Sequence, residues 1–275
     1  MAIDLERPLV LVGAGKMGGA LLSGWLDGGV APGLVAIRDP HLPDEVAALA
    51  KERGVRLDAS IDDLAALKPA AVVLAVKPQA MPEVLPALRP LVAPETLFVS
   101  IAAGVGAGRL DELLGGGAAI VRAMPNTPAS VGRGISGAFA NPCVSEAQKA
   151  LADGLLAAVG DAVWIEDEAL MDAVTAISGS GPAYVFHMVE AMAGAGVALG
   201  LPEDTAMRLA RATVSGAGEM LYRSDLDAGT LRRNVTSPGG TTAAALDVLM
   251  GGDALSELMK KAALAARDRG RELGK

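Results

Sequence analysis

The sequence predicts an α/β chain: a doubly wound parallel sheet over residues 1–163, followed by an all-α domain over residues 164–275. Three observations carry this reading. Short apolar runs alternate with longer helical patterns through the first half of the chain. Several of those runs are apolar at every position, as a strand covered on both faces must be. Strand signals then stop after about Trp164, and Ala- and Gly-rich helical patterns take over.

Strands are expected at Leu9–Val12, Leu34–Ile37, Ala71–Val76, Leu97–Ile101 and Ala119–Arg122, with helices between them. This alternation is the signature of right-handed βαβ units. Beyond Trp164, helices are expected at about Glu168–Ile177, Ala183–Leu199, Glu203–Tyr222, Gly240–Met250 and Ala254–Leu273. Small residues such as Ala191, Ala193, Gly194, Ala195 and Gly196 let helices approach closely, but each glycine costs a helix about 1 kcal/mol relative to alanine. About 110 residues of this kind bury little by themselves, so the second domain is expected to pack against another subunit in a homodimer or higher homo-oligomer.

Composition excludes several function classes. Apolar residues make up 51% of the chain and charged residues 20%, which is material for a packed core. The net charge of −8 argues against a nucleic-acid surface, so any anionic ligand must be held by local devices such as helix N-termini. Cys143 is the single cysteine, which excludes an internal disulfide or a multi-cysteine metal site and makes a reducing cytoplasm the expected compartment. No metal is expected. Charged residues before Pro8 leave no room for a signal peptide, and the uncharged stretch Ala173–Val189 is broken by Ser178-Gly179-Ser180-Gly181-Pro182, so no membrane span is expected.

Gly13-Ala14-Gly15-Lys16-Met17-Gly18 is a G-x-G-x-x-G that follows the first strand and opens a helix. Gly13 permits the tight turn, Gly15 lets backbone approach a pyrophosphate, and Gly18 allows close helix-to-strand packing. Asp39 lies at the end of the second strand, where an acid meets the adenosine ribose of a dinucleotide. These features point to a Rossmann domain that binds NAD(P); the plainer alternative is a structural βα turn. Asp39 suits a 2′-hydroxyl and Arg38 a 2′-phosphate; the pair leans toward NADPH with NADH still open, and Asp39 alternatively just opens an Asp-Pro turn. Ala75-Val76-Lys77-Pro78 and Ala102-Ala103 leave later strands at the same carboxyl edge and are expected to border the cofactor, with Lys77 either on a phosphate or ribose or simply solvated. Asn126, in the Arg122–Pro128 segment, is placed to reach cofactor or substrate.

Hydride transfer to a C=N or C=O bond needs a donor at the heteroatom and groups that orient the substrate. His41 and His187 are both badly placed for this. The polar segment Asn234-Val235-Thr236-Ser237-Pro238-Gly239-Gly240-Thr241-Thr242 reads instead as a helix-start loop. Its unpaired N–H groups suit a carboxylate and its hydroxyls a ring nitrogen; the plainer alternative is an N-cap with a Pro-Gly turn. Ser178–Tyr184 either lines the same cleft or only bends the chain.

Taken in order, these motifs resemble the pyrroline-5-carboxylate reductases over nearly the whole chain, most specifically in Val235–Thr242. The resemblance implies reduction of L-1-pyrroline-5-carboxylate to L-proline by NAD(P)H, and a helical domain that dimerises. It implies that Thr242 hydrogen-bonds the imine nitrogen with Ser237 in support, while the backbone of Gly239, Gly240 and Thr241 holds the substrate carboxylate. Asn234 matches a cofactor contact; Asp225 and Glu168 fall where the family places acids near the substrate amine or the dimer interface. The competing readings are a β-hydroxyacid-type dehydrogenase, whose lysine base has no counterpart between Lys149 and Lys260, and a cofactor-binding regulator without turnover.

Overall fold

The computed structural model describes residues 5–57 and 60–274. Among these residues eight strands form one sheet: β1 (Leu9–Val12), β2 (Val35–Arg38), β3 (Arg56–Leu57), β4 (Ala71–Leu74), β5 (Leu97–Ser100), β6 (Ala119–Met124), β7 (Gly134–Ala140) and β8 (Gly160–Trp164). Their spatial order is β3-β2-β1-β4-β5-β6-β7-β8. The first six run parallel, β7 is antiparallel to β6, and β8 is parallel to β7. The chain therefore winds outward from β1 in both directions, which puts the ligand crevice at the carboxyl ends of β1 and β4.

The central strands are apolar throughout because they serve two cores at once. Leu9, Leu11 and Val73 face a cluster with Leu21, Leu22 and Trp25, whereas Val10, Val12, Leu74 and Phe98 face the opposite one with Met81, Leu85 and Leu110. Successive side chains of a strand point to opposite faces, so a strand packed on both sides has no polar position to offer. The covering helices are α1 (Lys16–Asp27), α2 (Asp44–Arg53), α3 (Ile61–Ala66), α4 (Met81–Val84), α5 (Ala107–Leu114) and α6 (Glu146–Ala157). Fully buried Trp25 donates from Nε1 to the Leu155 carbonyl at 2.9 Å and so fixes α1 against α6.

The sequence reading finds five of these strands and passes over β3, β7 and β8. The reason for β7 is visible in its packing. Its Gly-Ile-Ser-Gly-Ala-Phe-Ala run lacks β-branched bulk because a Cβ at Gly137 would overlap Val174, and one at Gly134 would stand 2.9 Å from Ala129. Strand propensity is outweighed there by the need for small side chains.

Beyond β8 the structure is helical: α7 (Met171–Val174), α8 (Gly181–Ala198), α9 (Glu203–Arg223), α10 (Ala228–Asn234), α11 (Thr241–Met250) and α12 (Ala254–Leu273). The chain divides into two compact units, one running to Gly179 and taking in the chain again from Arg267, the other Ser180–Ala266. In the second unit α8 and α9 pack through small residues, and a Cβ at Gly196 would lie 3.0 Å from that of Ala206. Its buried apolar side chains, among the described residues, are Ala193, Ala206 and Ala210. Many of its large ones are exposed, with Phe186 at 64%, Val248 at 75% and Leu258 at 63%. Apolar surface on this scale marks an interface.

Candidate active site

The glycine-rich turn explains two of its three glycines by packing within the chain. Gly13 has φ +86°, and its N–H donates to the Arg38 carbonyl at 3.0 Å. A Cβ there would stand 2.8 Å from Val76 Cγ1 and 2.9 Å from the Ala75 backbone. At Gly18 the added atom would meet the Gly13 carbonyl oxygen at 2.5 Å. Gly15 is different: it caps α1 with φ −63°, and nothing lies within 4 Å of where its Cβ would be. Neither backbone strain nor internal crowding calls for glycine at this position. The open space beside it, at a helix start with no side-chain cap, fits a pyrophosphate drawn against the first N–H groups of α1.

Gly13→Ala is therefore expected to destabilise the fold by about 1–3 kcal/mol and to weaken nucleotide binding. Thermal melting and NADPH titration check this, and an unshifted midpoint with wild-type affinity would overturn it.

Two small clefts flank this turn and share Val76. One, of about 300 Å³, is lined by Met17, Ala75, Val76, Lys77, Pro78, Ala102, Ala103 and Asn126, all expected from sequence, together with Ile101, Met124, Pro125, Thr127 and Gly179. The other, of about 230 Å³, gathers Gly13, Arg38, Asp39 and Val76 with Val12, Pro40, Glu83, Val84 and Ala87. Because β4 ends at Leu74, the Ala75–Pro78 backbone turns out over both. A larger groove, about 740 Å³, follows another side of α1, and of the predicted site residues only Gly15 and Lys16 reach it.

Several predicted polar side chains are already engaged within the fold. Asp39 Oδ2 accepts from the Ala14 N–H at 2.7 Å, and Oδ1 accepts from the His41 N–H at 2.8 Å. The carboxylate thus ties the end of β2 to the glycine-rich turn. Asn126, 8% exposed, accepts from the Ile135 N–H at 2.9 Å and donates to the Ser178 carbonyl at 3.2 Å. Both ends of its amide are used to hold the exit of β6. Glu168 lines neither cleft; its Oε1 accepts from the Ala107 N–H at 2.7 Å and from Arg122 Nη1 at 3.2 Å. Arg122 was legible as a site signal, since a charge inside an apolar strand requires a partner.

The remaining predicted residues lie in the second unit. Asn234 ends α10 and is exposed. Ser237–Gly240 form a turn in which the Gly240 N–H donates to the Ser237 carbonyl at 3.0 Å and Gly239 has φ +70°. Gly240 then caps α11 with extended backbone and no side-chain cap, so the N–H groups of Thr241, Thr242 and Ala243 have no partner inside the helix. Ser237, Thr241 and Thr242 are all exposed. The segment is a helix start, as the sequence predicts, and it is preceded by the Pro-Gly turn of the plainer alternative. Asp225 is exposed in the link between α9 and α10. Its neighbour Asp227 caps α10: hydrogen bonds from the Thr230 hydroxyl at 2.6 Å and N–H at 2.9 Å hold its carboxyl below the ordinary range. The sequence reading has no helix at α10 and so assigns no role to that cap. Among the described residues no group of three His, Cys, Asp or Glu side chains is arranged to hold a metal, and no helix is long and apolar enough to cross a membrane.

Comparison with known proteins places the chain in a family. Residues 168–273 match the family described as pyrroline-5-carboxylate reductase dimerisation, and residues 8–104 match the one described as NADP oxidoreductase, coenzyme F420-dependent. A pyrroline-5-carboxylate reductase of Pseudomonas aeruginosa is 44% identical over 96% of this chain and 96% of its own. The solved structure of one from Coxiella burnetii is 38% identical and superposes with a TM-score of 0.91 over 98% of this chain and 99% of its own. Another, from Plasmodium falciparum with NADP bound, is 31% identical with a TM-score of 0.80 over 98% and 99%. With relatives this similar along nearly its entire length, the chain belongs to the pyrroline-5-carboxylate reductase family.

Proposed function

We propose that this protein reduces L-1-pyrroline-5-carboxylate to L-proline, the last step of proline biosynthesis, and that the clefts beside Gly13–Gly18 and the Ser237–Thr242 segment share the work. The observation that carries this division is the pairing, in one chain, of a dinucleotide crevice with a donor-rich helix start that contains no histidine, lysine or metal ligand. Bound NAD(P)H supplies the hydride. The Gly13–Gly18 turn holds the pyrophosphate, and Ala75–Pro78, Ala102, Ala103, Asn126 and Asn234 border the rest of the cofactor.

The Gly240 N–H is spent on the Ser237 carbonyl, so the N–H groups at Gly239 and Thr241 hold the substrate carboxylate; Asp225 faces the amine end, and the hydroxyl of Thr242, supported by Ser237, is aimed at the imine nitrogen. Hydride adds to the imine carbon while the C=N π electrons pass to nitrogen. A protonated imine is already electrophilic, so a hydrogen bond at nitrogen and correct placement replace a strong acid. Purified protein is expected to oxidise NADPH, followed by absorbance, only when the imine is added; no oxidation with either nucleotide would remove this reading.

NADPH is the preferred nucleotide in this account. Arg38 and Asp39 both line the 230 Å³ cleft, and of the two only the guanidinium of Arg38 can pair with a 2′-phosphate. Arg38→Ala is expected to raise the KM for NADPH by about tenfold and that for NADH far less, the size of one charge-assisted contact to phosphate. Equal effects on the two nucleotides would mean that Arg38 does not read the 2′-phosphate.

The protein is a homo-oligomer built through its helical unit, and a homodimer or a larger ring of dimers in this proposal. Its net charge of −8 and single cysteine support a cytoplasmic enzyme with a small-molecule substrate and no nucleic-acid partner.

A further inference from the structure

The loop from Ile101 to Gly106, between β5 and α5, gives Ile101, Ala102 and Ala103 to the 300 Å³ cleft. Ile101 packs against one core and Ala102 and Val105 against the other, and a wall that sets the place of a reacting ring must also be held against drift along the chain. A polar anchor stands at the loop's end. Glu168 Oε1 accepts from the N–H of Ala107, the first residue of α5, at 2.7 Å, and a Cβ on Gly106 would come 3.5 Å from the same oxygen. That oxygen also takes the 3.2 Å contact from Arg122, whose side chain is only 10% exposed. A guanidinium so buried needs an anion, and the positive end of α5 favours one at the same point. At Gly104 the loop packs against backbone, since a Cβ on Gly274 would stand 2.9 Å from the Gly104 carbonyl oxygen.

We propose that Glu168 is a positioning residue for hydride transfer. It acts through the Ala107 N–H, fixing the Ile101–Gly106 loop so that Ala102 and Ala103 hold the reacting end of the dinucleotide in place. The proposal rests on reading the 300 Å³ cleft as the site of that reacting end. Glu168 itself touches neither substrate nor cofactor, and the phosphates are held elsewhere, at Gly13–Gly18.

Two substitutions separate reach from charge. Glu168→Asp keeps the anion for Arg122 but withdraws the carboxylate by one methylene from Ala107. Glu168→Gln keeps an acceptor at full reach and removes the charge. With full-length protein, Glu168→Asp is expected to lower kcat by about tenfold, the scale of a sub-ångström misplacement, with the KM for the imine and the affinity for NADPH within about twofold of wild type. The primary deuterium isotope effect with 4-deuterated NADPH should rise, because hydride transfer becomes more rate-limiting. Glu168→Gln should melt at a lower temperature yet lose less turnover than Glu168→Asp.

Wild-type kcat in Glu168→Asp overturns the proposal, as does a rise of about tenfold in imine KM at constant kcat in either variant, which marks a direct substrate contact. The cleft reading has its own control in Ala103→Leu, which fills the cleft. Unchanged NADPH affinity in that variant would sink the cleft reading whatever Glu168 does, whereas failure of Glu168→Asp alone leaves that reading standing.

Discussion

Replacing Thr242 with alanine is expected to lower kcat by about ten- to a hundredfold while leaving NADPH affinity within about twofold. That loss corresponds to one hydrogen bond to a nitrogen whose charge changes in the transition state. The structure supports the role by what surrounds this residue. Thr242 is the second residue of α11, exposed, at a helix start that no side chain caps. The turn before it is closed by the Gly240 N–H to the Ser237 carbonyl, and the hydroxyl follows directly on that turn. Thr242→Ser retains the hydroxyl and is expected to recover most of the rate. Steady-state kinetics of both variants decide the matter, and an alanine variant with wild-type kcat would disprove the assignment.

The second large effect concerns assembly. A chain carrying both Phe186→Glu and Leu258→Glu is expected to run as a monomer in gel filtration with light scattering, and to lose nearly all activity. The two wild-type side chains are 64% and 63% exposed in the single chain. Burying such a side chain stabilises by about 1.5–3 kcal/mol, and a carboxylate forced into the same contact costs several kcal/mol more. The helical unit has little else to draw on, since its buried apolar side chains among the described residues are three alanines. Its folding is therefore coupled to association, and the thermal midpoint of the wild type should rise with protein concentration. A wild-type monomer at micromolar concentration, or a double variant that keeps the wild-type mass, would sink this account.

Much of the fold was legible because its signals are local. The apolar runs at β1, β2, β4, β5 and β6 and the Gly13–Gly18 turn follow from short-range rules of side-chain alternation and backbone freedom. The helix start at Thr241 was legible for the same reason, from small and hydroxylated residues ahead of an apolar run. Strand β7 was not, because Gly137 answers to Val174, far along the chain, and Gly134 to Ala129 across the turn that precedes the strand. Helix α10 was missed because its seven residues carry too few turns for a periodic pattern, although the Asp227 cap in front of it was a usable sign.

By itself, then, the sequence determined the doubly wound sheet, the dinucleotide turn and the donor-rich helix start, all written in contiguous residues. Only the tertiary structure decided where the polar side chains are spent: Asp39 on Ala14, Asn126 on Ile135 and Ser178, and Glu168 on Ala107 and Arg122. Those partners lie between 9 and 61 residues away along the chain. A hydrogen bond needs approach to about 3 Å, and folding alone brings such groups together.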